Sequence, residues 1–283
     1  MVVAPRSAAS SRASRRVLLV ALALALAGAL ALLLPGRGGA RPTWQSSFER
    51  RGLAEWSWRD GGSTVRVVDA VAAGVPPLAG AHVARFETTR AARPGAPVHA
   101  KLYESFGRDL GGPHARPPAD VSGSYRAWFF FPLGFRVPRG TWVNLFQFKE
   151  KYQARADRVS DPRWWVQLGS ASWTHPPGRA RLAVRSDAPV AFLNFFSNRW
   201  RHPPRFVAVP LGRWVEIRAD VRQGQRIDFF LGGEALGTAR ASEYPVSPFH
   251  GTASREWIFG VGDYSTGRNG PLFIDDAAVY PLP

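Results

Sequence analysis

Polar and apolar residues alternate along Trp214–Arg222 with a period of two: Val215, Ile217, Ala219 and Val221 are interleaved with Glu216, Arg218, Asp220 and Arg222. That period puts successive side chains on opposite faces, so it predicts a strand with one buried and one wetted face. A Gln223-Gly224-Gln225 turn follows, and a second strand begins at Arg226 and runs to Leu231. Short runs rich in Val, Ile, Phe and Trp recur between Pro and Gly punctuation. They predict further strands at Val65–Val68, His82–Glu87, Ser124–Phe131, Trp142–Phe148, Trp164–Leu168, Arg181–Val184 and Leu272–Tyr280. No stretch after residue 40 carries a long helical stripe, so two packed antiparallel sheets are expected. The Pro-rich and polar stretches Gly111–Pro118, Tyr152–Arg163 and Asn198–Pro204 read as long connections, which usually sit at the rim of a rigid scaffold and carry binding.

The N-terminus follows a different pattern. Residues 1–16 contain Arg6, Arg12, Arg15 and Arg16 and no acid, and Val17–Leu34 is an unbroken run of apolar or small residues ending at Pro35. A basic region, an apolar region and the small residues Gly38-Gly39-Ala40 predict an export signal cleaved after Ala40. The run is also long enough to span a bilayer, which leaves a retained single-pass anchor as the other reading. The chain has no cysteine, as suits an exported bacterial protein that uses no disulfides. Its remaining 243 residues are expected to form one large β domain, acting as a monomer.

Charge narrows the partner. Of 37 basic residues only Lys101, Lys149 and Lys151 are lysine. After residue 40 there remain 32 basic against 21 acidic side chains, a surplus that attracts polyanions. Two of the three lysines lie in Asn144-Leu145-Phe146-Gln147-Phe148-Lys149-Glu150-Lys151, where alternation places them on one face with Gln147. A lysine, unlike an arginine, is a compact cation that burial can retune. The chain also has eleven tryptophans, and the Trp164-Trp165 pair points to both faces of its strand, so that one ring, taken as Trp165, is expected to face a groove. Aromatic platforms suit sugar rings and nucleobases alike. No His/Asp cluster supports a nuclease, and no nucleic-acid partner is expected. No Glu-x-Asp-x-x-Glu arrangement supplies the paired carboxylates of a laminarinase-like glycosidase.

The order of several short motifs resembles the heparin lyase I-like polysaccharide lyases. They are Phe48-Glu49, His82-Val83-Ala84-Arg85-Phe86-Glu87, Leu145-Phe146-Gln147-Phe148-Lys149, Ser160-Asp161-Pro162-Arg163-Trp164-Trp165-Val166, Gly212-Arg213-Trp214-Val215-Glu216 and Asn269-Gly270-Pro271-Leu272-Phe273-Ile274-Asp275-Asp276. The resemblance covers most of residues 44–281. It implies a concanavalin A-like β-jelly roll of two curved antiparallel sheets and a polysaccharide substrate.

Such a lyase neutralises a uronate carboxylate, removes the C5 proton and protonates the departing glycosidic oxygen. The resemblance implies Gln147 as the carboxylate ligand, with Lys149 either reinforcing it or acting as base. Related lyases carry Gln-x-His here, and Lys149 replaces that histidine. His99, on one face with Lys101, is the alternative base, and Tyr264, in Gly262-Asp263-Tyr264-Ser265-Thr266-Gly267, the acid or base. Tyr103 and Tyr152 are held in reserve. Arg85, Glu87, Lys101, Lys151 and Trp165 complete the expected glycan contacts. Glu49, Asp275 and Asp276 are the candidate ligands of a structural calcium joining the chain ends, and no other cofactor is expected. The lysine at the histidine position leaves a second reading open, a non-catalytic lectin-like module on the same fold.

Overall fold

The alternation at Val215–Val221 is realised as a strand whose odd-numbered members are all buried and whose even-numbered members are all partly exposed. The structure, a computed structural model, describes residues 41–60, 64–88, 97–106, 121–152, 160–170, 188–195, 205–240, 254–266 and 269–282. Among them are fifteen strands and no α-helix: β1 (Trp44–Ser46), β2 (Trp58–Asp60), β3 (Val65–Asp69), β4 (His82–Phe86), β5 (Val98–Phe106), β6 (Gly123–Phe130), β7 (Trp142–Tyr152), β8 (Ser160–Ser170), β9 (Pro189–Phe195), β10 (Val207–Ala208), β11 (Trp214–Arg222), β12 (Arg226–Leu231), β13 (Glu234–Arg240), β14 (Ser254–Ser265) and β15 (Leu272–Tyr280). The expected strand at Arg181–Val184, the apolar run at 17–34 and the connections 111–118 and 198–204 lie outside the described residues.

The strands form two sheets. The first has the order β13-β12-β11-β6-β15-β4-β3, with β1 added to β15, and the second β10-β9-β8-β7-β14-β5-β2. Neighbours within each sheet pair antiparallel, and at the centre of each sheet neighbours in space are distant in sequence, as in β11–β6–β15 and β7–β14–β5. The first strand after residue 40 therefore lies against the last, with Trp44 opposite Val279. Two strands extend beyond their predicted limits: β7 continues through Lys149 to Tyr152, and β8 begins at Ser160, inside the stretch read as a loop.

One core fills the space between the sheets. Phe259 on β14 is at its centre, fully buried, with ring centroids 4.9 Å from Phe146, 5.5 Å from Tyr125, 6.0 Å from Phe148 and 6.1 Å from both Trp44 and Trp56. Most of these contacts are edge-to-face or tilted, which aligns positive ring edges with negative faces. On β5 the residues in this core are Ala100 and Leu102, and on β7 Val143, Leu145, Phe146 and Phe148. Alternation then turns His99, Lys101, Tyr103, Gln147 and Lys149 to the other side of the second sheet.

Candidate functional site

Strand β14 lies between β5 and β7, and its two glycines determine what can meet across it. Gly260 stands opposite Tyr103 on one side and Gln147 on the other, and Gly262 stands opposite Lys101. A Cβ added at Gly260 would lie 2.6 Å from the Tyr103 ring and 3.2 Å from Cγ of Gln147. With only hydrogen there, side chains from the two flanking strands close over the intervening backbone.

They do so as a connected set. Lys101 is fully buried, and its Nζ donates to Oε1 of Gln147 at 2.5 Å. The Gln147 amide nitrogen donates to the Tyr103 hydroxyl at 3.3 Å. Lys149 is partly exposed and holds its ammonium 4.3 Å from the centre of the Tyr103 ring, in cation–π contact. One step along the sheet, Tyr264 pairs with His99 and with Asn144, and the His99 and Tyr264 rings stack at 4.2 Å. Two residues of strand separate this pair from Lys101, roughly 7 Å. Trp142 packs edge-on against Tyr264 at 5.0 Å and fixes its ring. Both rings of the stacked pair remain partly exposed.

The structure thus brings together Gln147, Lys149, His99, Tyr264 and Lys101 from three strands. Trp165 joins them, opposite Gln147 in the β7–β8 pairing, with its indole N–H on Oε1 of Gln167 at 3.0 Å. It is 9% exposed, a wall of the site more than an open platform. Tyr103, held in reserve by the sequence reading, is central, because it touches both Gln147 and Lys149. The signal for it was the Lys101-Leu102-Tyr103 alternation. Tyr264 lies within β14, a strand absent from the sequence reading because its paired glycines hid it.

Arg85 and Glu87 are not brought here. They belong to the β4 segment of the first sheet, where Arg85 Nη2 and Glu87 Oε2 form a partly exposed ion pair at 2.8 Å, on the side away from core-facing Ala84 and Phe86. Lys151 lies within β7, but its side chain is outside those described. Apart from the site, a hollow of about 390 Å³ lined by Trp128, Trp214, Arg213 and Glu216 lies by the start of β11 and contains none of the expected residues.

The three acids expected to hold calcium do lie near one another, but each carboxylate is committed elsewhere. Glu49 accepts from the backbone N–H of His82 at 2.9 Å and of Ala81 at 3.2 Å. Asp275 accepts from the N–H of Asp276 at 2.7 Å and of Ala79 at 3.3 Å. Asp276 accepts from Nε2 of Gln45 at 2.7 Å. Among the described residues no group of three or more His, Cys, Asp or Glu is placed to hold a metal ion. The set has the hard oxygens of a calcium site without their convergence on one point.

Two carboxyls are unusual. Burial pushes Asp263 up to about 7, against the opposing pull of Ser265, Lys101 and Asn269. Burial likewise pushes Asp275 up to about 7; the charges of Asp276 and Glu49 add to this, and its two backbone N–H partners oppose it. A carboxyl whose folded value lies above its unfolded one favours the native state most at pH below the unfolded value, near 4. That contribution is lost as pH rises through about 7. Asp263→Asn removes one such titration. The variant is expected to be more stable than the parent at pH 9, by on the order of 3 kcal/mol, with the difference vanishing toward pH 4. Urea unfolding at both pH values checks this, and a variant less stable at pH 9 would contradict it.

No protein-family model matches the chain, and no curated protein matches it in sequence. Solved structures do. An endo-β-1,4-glucuronan lyase from the fungus Trichoderma reesei superposes with a TM-score of 0.51 over 86% of this chain and 96% of that one, at 14% identity. A cellulose-induced protein, Cip1, gives 0.48 over 83% and 95%, at 11% identity. An alginate lyase from Pseudomonas aeruginosa gives 0.41 over 71% and 83%, at 13% identity. The two antiparallel sheets, their order and the match to the glucuronan lyase establish the fold as an all-β jelly-roll sandwich.

Proposed function

We propose that this protein is an exported polysaccharide lyase that cleaves an acidic, uronate-containing glycan by β-elimination. The observation that carries the reading is the grouping of an amide, an ammonium and a stacked His–Tyr pair on one side of the second sheet. Elimination at a uronate needs just these parts. The carboxylate must be neutralised so that the C5 proton becomes acidic, and that role suits the partly exposed ammonium of Lys149, with the buried Gln147 amide behind it holding the Tyr103 hydroxyl. An ammonium seated on the Tyr103 ring is engaged as a cation, which favours carboxylate binding over proton abstraction for Lys149. His99 and Tyr264 then divide the proton transfers, one taking the C5 proton and the other donating to the departing oxygen. The electron pair released at C5 forms the C4–C5 double bond as the glycosidic oxygen leaves.

The structurally similar Trichoderma protein is a β-1,4-glucuronan lyase, which makes glucuronan the first substrate to try. The sequence motifs add heparin, and the surplus of basic side chains suits any such polyanion. The basic and then apolar N-terminus supports action outside the cytoplasm. Incubating residues 41–283 with glucuronan, heparin, alginate and hyaluronan, while following absorbance of the unsaturated product in the ultraviolet, tests the reading. Product from at least one polymer is expected. Retained glycan binding without product from any of them would overturn the lyase in favour of a lectin-like module.

A further inference from the structure

We infer that Lys101 is a positioning residue that sets the orientation of the Gln147 amide and does not itself touch the substrate. This rests on the lyase reading for its catalytic consequence alone. Lys101 has no exposed surface, so it is closed to a polymer. Its ammonium ends 2.5 Å from the Gln147 side chain. An ammonium has three donors and no acceptor, so the amide atom facing it must be the carbonyl oxygen. The amide is planar, and fixing its oxygen fixes its NH2 on the opposite side. That NH2 is then directed to the Tyr103 hydroxyl at 3.3 Å, on the side where Lys149 holds its charge over the same ring.

The arrangement solves a problem specific to glutamine. A free amide presents either oxygen or nitrogen at similar cost, and only the nitrogen can donate to the Tyr103 hydroxyl, whose ring carries the Lys149 ammonium. A cation behind the amide removes that ambiguity. The polarised NH2 also becomes a stronger donor, because each bond in a hydrogen-bonded chain reinforces the next. The reach across β14 is possible because Gly260 and Gly262 stand between Lys101 and Gln147. The buried Asp263 lies close enough to feel the Lys101 charge.

Negative charge grows on the uronate carboxylate as the C5 proton leaves, so a misoriented amide, by releasing the Tyr103 ring on which the Lys149 ammonium is seated, harms the transition state more than the ground state. Lys101→Met is therefore expected to lower kcat by about 10- to 100-fold while KM stays within about threefold. Lys101→Arg, which restores a buried cation, is expected to recover part of the loss. A direct substrate contact would instead raise KM, and a KM increase above tenfold with kcat unchanged would overturn the assignment. A second measurement needs neither turnover nor a variant at Lys101. In nitrogen-15 NMR of the unmodified protein, the Gln147 side-chain amide, assigned by its absence in Gln147→Ser, is expected to exchange with water at least tenfold more slowly than exposed glutamine amides. It should also show a nuclear Overhauser contact to the Lys101 ε-methylene. Fast exchange with no such contact would overturn the proposal even if the lyase is active. Slow exchange with the contact, in a protein that cleaves nothing, would uphold it and sink the lyase reading instead.

Discussion

Tyr264→Phe is expected to lower kcat on a cleavable uronate polysaccharide by about 10²- to 10⁴-fold, the range typical of losing a positioned proton donor or acceptor. The substitution removes one oxygen and keeps the ring that stacks on His99 at 4.2 Å and packs against Trp142 at 5.0 Å. Stability and glycan affinity should therefore change little, and a drop in turnover reports the hydroxyl. His99→Ala is expected to cause a loss of similar size. The two residues divide the two proton transfers of a single elimination, so the double variant should be little worse than either single one, as for groups that act as a unit. Initial rates of unsaturated product for the four proteins provide the comparison. Multiplicative losses would show that the stacked pair does not function together, and a Tyr264→Phe enzyme within threefold of the parent would remove the hydroxyl from the mechanism.

Phe259→Ala is expected to cost about 3–5 kcal/mol, the usual range for deleting a fully buried phenylalanine. Five aromatic rings from four other segments, carried by Trp44, Trp56, Tyr125, Phe146 and Phe148, meet this side chain. Large planar side chains held by neighbours on several sides collapse poorly into a void, so most of the cavity should persist. Denaturant unfolding with the exposed Val71→Ala as control measures the difference, and the control should move by less than about 0.5 kcal/mol. A loss below 1 kcal/mol at Phe259 would mean that the sheets slide to fill the gap. Because Phe259 adjoins Gly260, such sliding would also shift the side chains of the candidate site that meet across β14.

Where burial was one-sided, the fold was legible from the sequence. β11 obeys strict alternation because one face meets the core and the other carries the ion pairs of Arg218 with Asp220 and Arg126 with Glu216. β14 was missed for the opposite reason. Its members from Trp257 to Asp263 are buried on both faces, and glycine replaces a side chain at alternate positions on one of them, so no polar-apolar rhythm exists to read. The site followed the same rule. Gln147 and Lys149 were recognised as sharing a face because their strand alternates, and His99 with Lys101 for the same reason. What alternation cannot supply is which strands become neighbours. It gave no means of knowing that Arg85 and Glu87 lie in the other sheet, or that Lys101 would be roofed over and turned from a glycan ligand into the partner of Gln147. Tyr103 acquired its importance only through the strand that separates it from Gln147.

The placement of β14 also bears on how the candidate site is assembled. Lys101 and Gln147 are 46 residues apart, and the strand over which they meet arrives from near the far end of the chain. Closing such loops is the slow part of folding, since chain entropy is lost before any contact compensates it. No nascent chain lacking residues 254–265 holds even half of the site, because β5 and β7 have no common neighbour until β14 inserts between them. Activity should thus appear as one late event during refolding, after most of the fluorescence change of the buried tryptophans, with no partially active intermediate.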